Sequence, residues 1–245
     1  MQKSKERLIT FFDLKLSAYA NSGGQKYDIA PVSLNTLVVQ IEAMKAAGQC
    51  PRSGRGSAET LYLADIQVDT GRTKVALLIN RSDKDASDTV YSDPAANIVR
   101  SFPKLGDEGN DFSAHVVIKL IQTGNSYLTI LEVAPGLASG RVCSFLNFLF
   151  KFCVRINTSA FKVPHPNAST DRQGRAIAVT AYQKAALLGH PSQDFVNTLN
   201  SGILESIELI DTRKVGLNWD TSGHTKEIAR AIFLSNCSAP MQRAG

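Results

Sequence analysis

The hydrophobic positions of this chain recur with two different periods, and each period predicts one kind of element. In residues 8–17 apolar side chains occupy every second position, which is typical of a β-strand with one buried face. After a Gly-containing break at residues 21–25, the apolar stripe of residues 34–44 has the three- and four-residue spacing of a helix. Ser33 is placed to cap that helix and Gly48 to end it. The N-terminal part therefore predicts a strand followed by a helix.

Two β-hairpins are predicted in the middle of the chain. Residues 60–69 and 73–81 are rich in aliphatic and β-branched residues and flank a short turn. The second hairpin joins residues 115–122 to residues 127–133 and has the clearer turn signal. Two consecutive hairpins predict an antiparallel sheet.

The turn of the second hairpin sets its expected register. A two-residue Gly124-Asn125 turn would place Lys119 opposite Ile130. Both faces of the hairpin are then mostly apolar, and such a pattern is typical of central strands that are covered on both sides. We therefore expect this hairpin at the centre of the sheet with a layer packed on each face.

Residues 141–155 predict a largely buried helix. Most of the side chains between Val142 and Val154 are apolar, so the segment belongs in a core. Its polar residues recur at steps of three and four, which places them on one helix face. That narrow stripe faces solvent, a partner chain or phosphate, and it consists of Arg141, Ser144, Asn147, Lys151 and Arg155.

These elements together predict an α+β fold, a mainly antiparallel sheet of hairpins with helices packed on it. Residues 81–112 are expected to be irregular and are rich in acidic residues, so they either form a solvated loop or shield a basic groove. We expect residues 1–156 to form the main α+β domain and residues 157–175 a linker loop. Residues 176–245 would form a C-terminal α/β subdomain packed on the same core.

The charge of the chain is mildly basic, with a formal net charge of +5. It favours an anionic partner such as nucleic acid, although solubility alone is an equal explanation. The N-terminal apolar run is broken by Asp13 and Lys15, and no apolar segment reaches the roughly 20 residues that a bilayer requires. We therefore expect a cytoplasmic protein without a membrane segment.

Three parts of the chain carry candidate nucleic-acid-binding residues. Two loops combine arginine with glycine or other small residues, and backbone amides with guanidinium groups suit phosphate contact. The helix stripe adds further cations, and several tyrosines and Trp219 are candidates for stacking on bases. Ordinary solvated loops explain the same residues equally well. The candidate cations are Arg52, Arg55, Arg141, Lys151, Arg155, Arg172 and Arg175.

The sequence signal for catalysis is weaker than that for nucleic-acid binding. The candidate catalytic residues lie on one face of the second hairpin. His115, Lys119 and Glu132 share that face, and a carboxylate there could hold Mg²⁺ or act as a base in a metal-dependent or histidine-dependent nuclease. A structural ion pair is the more common explanation of such a pair. The cysteines form no metal-binding spacing, and Cys143 and Cys153 are expected to be core residues. No metal site and no cofactor other than this Mg²⁺ is predicted.

The order of strands, Pro-Gly turn and apolar helix in residues 115–150, followed by residues 189–211, resembles small uncharacterised bacterial proteins of phage-defence and mobile-element loci. The resemblance implies a cytoplasmic role in handling nucleic acid or sensing invasion, and it carries over no catalytic residue. Three functions are therefore open. They are a nucleic-acid-binding component of an anti-phage defence or mobile-element complex, a nuclease, and a protein-interaction subunit that docks a partner or a second copy in a larger assembly.

Overall fold

The computed structural model describes residues 7–54, 58–192 and 196–197, together with the backbone of two strands near the C-terminus. The chain divides into two compact units, residues 1–190 and residues 191–245. Each unit is described by itself. The domain boundaries expected at residues 156 and 175 stay a prediction.

An antiparallel sheet dominates the first unit, and two helices accompany it, so the fold is broadly α+β with more sheet than helix. The sheet has eight strands, seven of them in the order β12-β1-β9-β8-β5-β4-β3, with β2 also paired to β1. The elements of the unit are β1 (Ile9–Ser22), β2 (Gln25–Ile29), α1 (Leu34–Ala46), β3 (Arg52–Ser53), β4 (Glu59–Val68), β5 (Lys74–Asp83), β6 (Thr89–Asp93), β7 (Ile98–Phe102), β8 (Asn110–Lys119), β9 (Tyr127–Glu132), α2 (Ser139–Ile156), β10 (Lys162–Pro164), β11 (Ala178–Thr180) and β12 (Tyr182–Gly189).

The predicted N-terminal strand and helix are confirmed. Strand β1 continues its alternation to Ala20 and buries Leu14, Ala18 and Ala20 on the core face. It pairs with β12 along one edge and with β9 and then β2 along the other. The Ser33 hydroxyl accepts a hydrogen bond from the backbone N–H of Thr36 at 3.2 Å, which caps α1 as the sequence predicted.

Helix α2 forms the centre of the hydrophobic core. It spans 18 residues and buries one complete stripe against the sheet and against α1, as its apolar pattern predicted. Both helices pack on the same face of the sheet, because the buried residues of all the central strands lie on that face. The core side chains of α2 are Val142, Phe145, Leu146, Leu149, Phe150, Cys153 and Val154.

The second predicted hairpin is present, but its register differs from the expectation. The turn at Gly124 and Asn125 forms and is closed by a bridge between Thr123 and Ser126. In the ladder between β8 and β9, however, Ile118 lies opposite Thr129. The strands have therefore slipped by two residues between the turn and the ladder. Because side chains alternate with period two, this slip leaves the composition of each face unchanged.

The expectation that this hairpin is covered on both faces is wrong for the residues that the structure describes. Its inner face is buried, but on its outer face Val117 and Ile130 are half-buried, and Ile121, in the bulge that follows β8, is exposed. Neighbouring apolar residues on the outer face of β1, such as Phe11, are exposed as well. Antiparallel sheets commonly leave one face to solvent, so apolar residues on both faces did not require two layers.

Residues 81–112 are more regular than expected. They contain the end of β5, the start of β8 and a separate hairpin of β6 and β7 joined by a turn at residues 94–97. Asp93 accepts hydrogen bonds from the backbone N–H groups of Ala95 and Ala96, which stabilises the turn. Short runs of β-branched residues on either side of Pro94 and Asn97 were the signal for this hairpin.

The second unit contains the antiparallel pair β13 (Ser206–Lys214) and β14 (Lys226–Ser235), with an irregularity between Asp211 and Thr212. The pattern of residues 203–211 predicts a strand, which overlaps β13, and the pattern of residues 222–235 fits either a helix or an edge strand, of which the strand β14 forms. A short helix is also predicted between Ser192, its plausible cap, and Gly202. Most of that helix, together with Arg55 and Trp219, lies outside the described residues. Neither α1 nor α2, in the part of the chain described, has the length and apolarity of a membrane-spanning helix.

Candidate nucleic-acid interface

The polar stripe of α2 divides into two halves with different roles. In its N-terminal half, Ser144 donates a hydrogen bond to the carbonyl of Gly140 at 2.9 Å, so its hydroxyl serves its own helix. In its C-terminal half, Lys151 and Arg155 are exposed. The stripe is therefore not one continuous surface for a partner.

Asn147 fastens α2 to the edge of the sheet. Its side-chain carbonyl accepts the backbone N–H of Ala185 at 2.7 Å, and its amide donates to the carbonyl of Ala185 at 3.0 Å. Strand β12 lies at one end of the strand order, so these backbone groups have no neighbouring strand on that side. Asn147 thus satisfies an open strand edge and does not face a ligand.

Arg141 belongs to an internal cluster of charges. It donates to Glu59 and, at 3.3 Å, to the carbonyl of Gly136. Glu59 also accepts from Arg81, whose guanidinium pairs with Asp83 at 2.5 Å. The Arg81 residue is only 9% exposed, so its charge requires both carboxylates. Arg141 therefore helps to balance a buried ionic cluster and is not an available phosphate ligand.

Two phenylalanines and two cations lie together on the C-terminal half of α2. Phe148 and Phe152 are half-buried and one helical turn apart, with ring centroids at 6.4 Å. The Arg155 guanidinium lies over the Phe152 ring at 4.8 Å from its centroid. Lys151 extends from the same face. The helix thus presents flat aromatic surface next to positive charge.

A second aromatic pair comes from the sheet. Tyr19 of β1 and Tyr182 of β12 are directly opposite each other in the ladder, and their rings stack at 5.6 Å with an interplanar angle of 26°. Lys26 holds its ammonium 4.7 Å from the centroid of the Tyr19 ring. The pairing of two strands distant in sequence therefore produces a second patch of the same chemistry as that of α2.

A groove of about 570 Å³ joins the two patches. Its volume is in the range of pockets that hold small ligands or single bases. Among the described residues no carboxylate lines it, and Asp28, which lies opposite Tyr19 on β2, is not part of its lining. We call it the aromatic groove, and its lining residues are Tyr19, Phe148, Lys151, Phe152, Val154, Arg155, Thr158, Thr180 and Tyr182.

A wider cleft of about 1860 Å³ also borders α2, next to the aromatic groove. Phe148, Phe152 and Arg155 line both the cleft and the groove. The other charged side chains that line this cleft are of both signs. Lys84 pairs with Asp107 at 2.7 Å, and Asp85 and Glu108 also line the cleft. A polyanion is favoured less there than in the aromatic groove.

Within the wide cleft, Tyr62 donates a hydrogen bond to Asp111, and the amide of Asn80 donates to Asp111 at 3.2 Å. Burial and this contact with Asp111 raise the pKa of Tyr62. Arg52 lies opposite Tyr62 on β3, is exposed, and lines the cleft. Of the two arginines predicted in the first loop, Arg52 therefore lines the same wide cleft as Arg155.

The two remaining predicted arginines lie on a tight turn away from the groove lining. Arg175 pairs with Asp171 at 2.9 Å, and a bridge between Thr170 and Ala176 closes the turn. Arg172 is exposed on the same turn. These residues form a local structure of their own, and of the predicted cations that the structure describes, Lys151 and Arg155 alone line the aromatic groove.

The sheet brings two of the three candidate catalytic residues, His115 and Glu132, into contact and sets Lys119 apart from them. His115 contacts Glu132 through its Nδ1 atom at 2.7 Å, and Arg7 pairs with the same carboxylate at 3.1 Å. Lys119 lies opposite Lys74 of β5. Burial acts to raise the pKa of Glu132, but the contacts with His115 and Arg7 outweigh it and lower that pKa. The carboxylate is held ionised between two basic side chains, as in a structural ion pair.

No cluster of three or more potential metal-ligating side chains is present among the described residues. Cys153 is fully buried, and burial raises the pKa of its thiol to about 11, so the thiol stays protonated at neutral pH. The thiol of Cys143 donates to the carbonyl of Ala185. Both cysteines serve the packing of α2, as their positions in its apolar pattern predicted.

Sequence reasoning missed several residues of the aromatic groove. Phe148 and Phe152 were assigned to the core, although their spacing of four and their position beside Lys151 and Arg155 could have indicated a shared face. Tyr182 had no local signal, because only the pairing of β12 with β1 brings it to Tyr19.

Comparisons of the chain with protein-family models, with curated proteins and with solved structures find no match. The interface is therefore interpreted from its own side chains.

Proposed function

We propose that this protein binds single-stranded nucleic acid through the aromatic groove. The observation that carries the proposal is the combination, in one groove without carboxylates, of four half-exposed aromatic rings with Lys151 and Arg155. In the setting that the sequence resemblance implies, the protein is a nucleic-acid-binding component of a bacterial anti-phage defence or mobile-element complex.

The chemistry of the groove favours single strands over duplexes. Aromatic side chains stack on the flat faces of bases, and those faces are accessible only when the bases are unpaired. The cations contact the phosphates between the stacked bases, and this contact carries no sequence preference. The expected ligand is therefore an unpaired strand that is bound with little sequence specificity.

The proposal is tested with a fluorescently labelled oligothymidine of about 20 nucleotides, whose bases cannot pair, by fluorescence anisotropy at low salt. A Phe152→Leu variant retains apolar packing but loses the flat ring, so we expect the dissociation constant to rise about fivefold or more. Arg155→Glu reverses a charge at an exposed position, and we expect the affinity to fall about tenfold or more.

Two matched controls separate the groove from the general surface. Lys119→Glu reverses the same charge on the outer face of the sheet, and Phe11→Leu changes an exposed ring on that face. Both variants should bind within about twofold of the unmodified protein. Equal loss of affinity in the controls and the groove variants, or no binding by the unmodified protein, would refute the proposal.

A further inference from the structure

The hairpin of β6 and β7 is an exposed apolar arm. All ten of its strand residues are exposed, and within the described residues the two strands form a sheet by themselves. Each large apolar residue of the arm has more than half of its surface exposed. These residues are Val90, Tyr91, Ile98, Val99 and Phe102. An isolated two-stranded hairpin is at best marginally stable in water, so this arm gains stability where another surface covers it.

The two faces of the arm differ in chemistry. Because opposite residues share a face, Thr89 and Phe102, Tyr91 and Arg100, and Asp93 and Ile98 lie on one side, which we call the aromatic face. On it the rings of Tyr91 and Phe102 meet edge to face with centroids at 5.6 Å. The opposite face carries Val90, Ser92, Val99 and Ser101.

The charges of the aromatic face indicate what covers it. Arg100 and Asp93 are of opposite sign on neighbouring positions of that face, so its net charge is zero. A polyanion gains nothing from such a surface. A two-fold contact between identical chains requires a self-complementary patch, and here Arg100 of each copy can meet Asp93 of the other next to the aromatic rings. The Oδ1 atom of Asp93 also accepts hydrogen bonds from the N–H groups of its own turn.

We propose that the aromatic face of the arm is a dimer interface and that its partner is the same face of a second copy of this chain. The contact buries Tyr91, Phe102 and Ile98 of both copies and pairs their charges. It uses no residue of the aromatic groove, and of its residues Phe102 also lines the adjacent wide cleft, so dimerisation and nucleic-acid binding are measured separately.

Analytical ultracentrifugation of the full chain from about 1 to 100 µM tests the proposal. The unmodified protein is expected to dimerise in this range. The double variant Tyr91→Ser/Phe102→Ser should raise the dissociation constant of the dimer about 30-fold or more, because it removes both rings. The matched control Val90→Ser/Val99→Ser changes the opposite face of the same arm and should shift it less than about threefold.

A charge variant tests the pairing itself. Arg100→Asp places two carboxylates together on each side of the two-fold axis and should weaken the dimer about tenfold, whereas Arg100→Lys should leave it nearly unchanged. All four apolar positions and Arg100 are exposed, so the monomer fold is expected to persist, and circular dichroism with a thermal melt verifies this.

Two results would overturn the proposal. They are an unmodified protein that stays monomeric up to about 100 µM and equal weakening of the dimer by the two double variants. A loss of oligonucleotide binding by Tyr91→Ser/Phe102→Ser, under conditions where all proteins are monomers, would contradict the separation of the arm from the nucleic-acid site. Intact dimerisation with failed oligonucleotide binding would refute only the proposed function.

Discussion

At the scale of single residues, Gly136 determines how the buried charge cluster is built. Its φ of +70° is in the left-handed region, and an added Cβ would lie 2.7 Å from the Cδ and Nε atoms of Arg81. Glycine is therefore required there both by the backbone and by the close approach of a neighbouring side chain. That approach allows the Arg81 guanidinium to reach Glu59 and Asp83.

We expect Gly136→Ala to destabilise the protein by more than the backbone strain alone, which is about 1–3 kcal/mol. The additional loss arises because Arg81 must move away from its carboxylates. Chemical denaturation measures the change in the free energy of unfolding. Gly24→Ala is the control, because Gly24 also has a positive φ but has no atom within 4 Å of the added Cβ. An equal loss in both variants would contradict the role of Arg81.

The residue scale also shows how polar side chains with similar sequence signals acquire different roles. Arg141 and Arg155 occupy the same helix stripe, yet Arg141 is paired with Glu59 and Arg155 lies over Phe152 at the groove. Helical spacing places both residues on one face. Helical spacing contains no information about which residues of other elements Arg141 and Arg155 contact. The polar stripe could therefore be predicted, but the different roles of its two halves could not.

At the scale of elements, α2 and β12 depend on each other through Asn147. The sheet ends at β12, and a strand edge with unpaired backbone groups is costly when it is partly buried. The Asn147 amide supplies both a donor and an acceptor to Ala185. This contact fixes the position of Tyr182 on the same strand relative to Phe148 and Phe152.

We expect Asn147→Ala to lower the free energy of unfolding by about 1–3 kcal/mol, because it leaves the N–H group of Ala185 without its partner and removes one of the two donors to its C=O group, the other being the Cys143 thiol. Hydrogen exchange of the Ala185 amide, measured by NMR, should become faster. Ser144→Ala is the matched control, since the Ser144 hydroxyl bonds only within its own helix, and it should change little. Unchanged exchange at Ala185 in the Asn147 variant would count against this role.

Elements that depend on residues close in sequence could be predicted, and features that depend on distant residues could not. Helix α1 was predicted with its cap because Ser33 and Thr36 are close in sequence, and the turn at Gly124 and Asn125 was predicted for the same reason. The register of β8 against β9 was not, because the shift between Ile118 and Thr123 depends on how β8 pairs with β5 on its other side.

At the scale of the whole molecule, the charge distribution matters more than the net charge of +5. Carboxylates and cations alternate along the wide cleft, whereas the aromatic groove and its rim carry Lys26, Lys151 and Arg155. An anionic strand is therefore expected to follow one narrow path across the surface.

We expect the affinity for oligothymidine to fall as salt rises, with a slope of log K against log salt concentration of about −2, since three cations at about 0.7 per phosphate contribute. In the double variant Lys151→Ala/Arg155→Ala the slope should fall to roughly −0.7. Anisotropy titrations at several salt concentrations measure both values. An unchanged slope in the variant would show that the phosphates are bound elsewhere.

Local sequence patterns predicted β1, the two helices, the hairpins β4–β5 and β8–β9, and the cap of α1, because these features depend on neighbours within a few positions. The α+β class followed from the same patterns. The tertiary structure alone decided that Tyr19 meets Tyr182, that Phe148 and Phe152 line a groove beside them, and that Glu59 neutralises Arg141. Tyr19 and Tyr182, and likewise Glu59 and Arg141, are more than 80 positions apart in the sequence. These contacts arise from the pairing and packing of whole elements, which local periodicity does not encode.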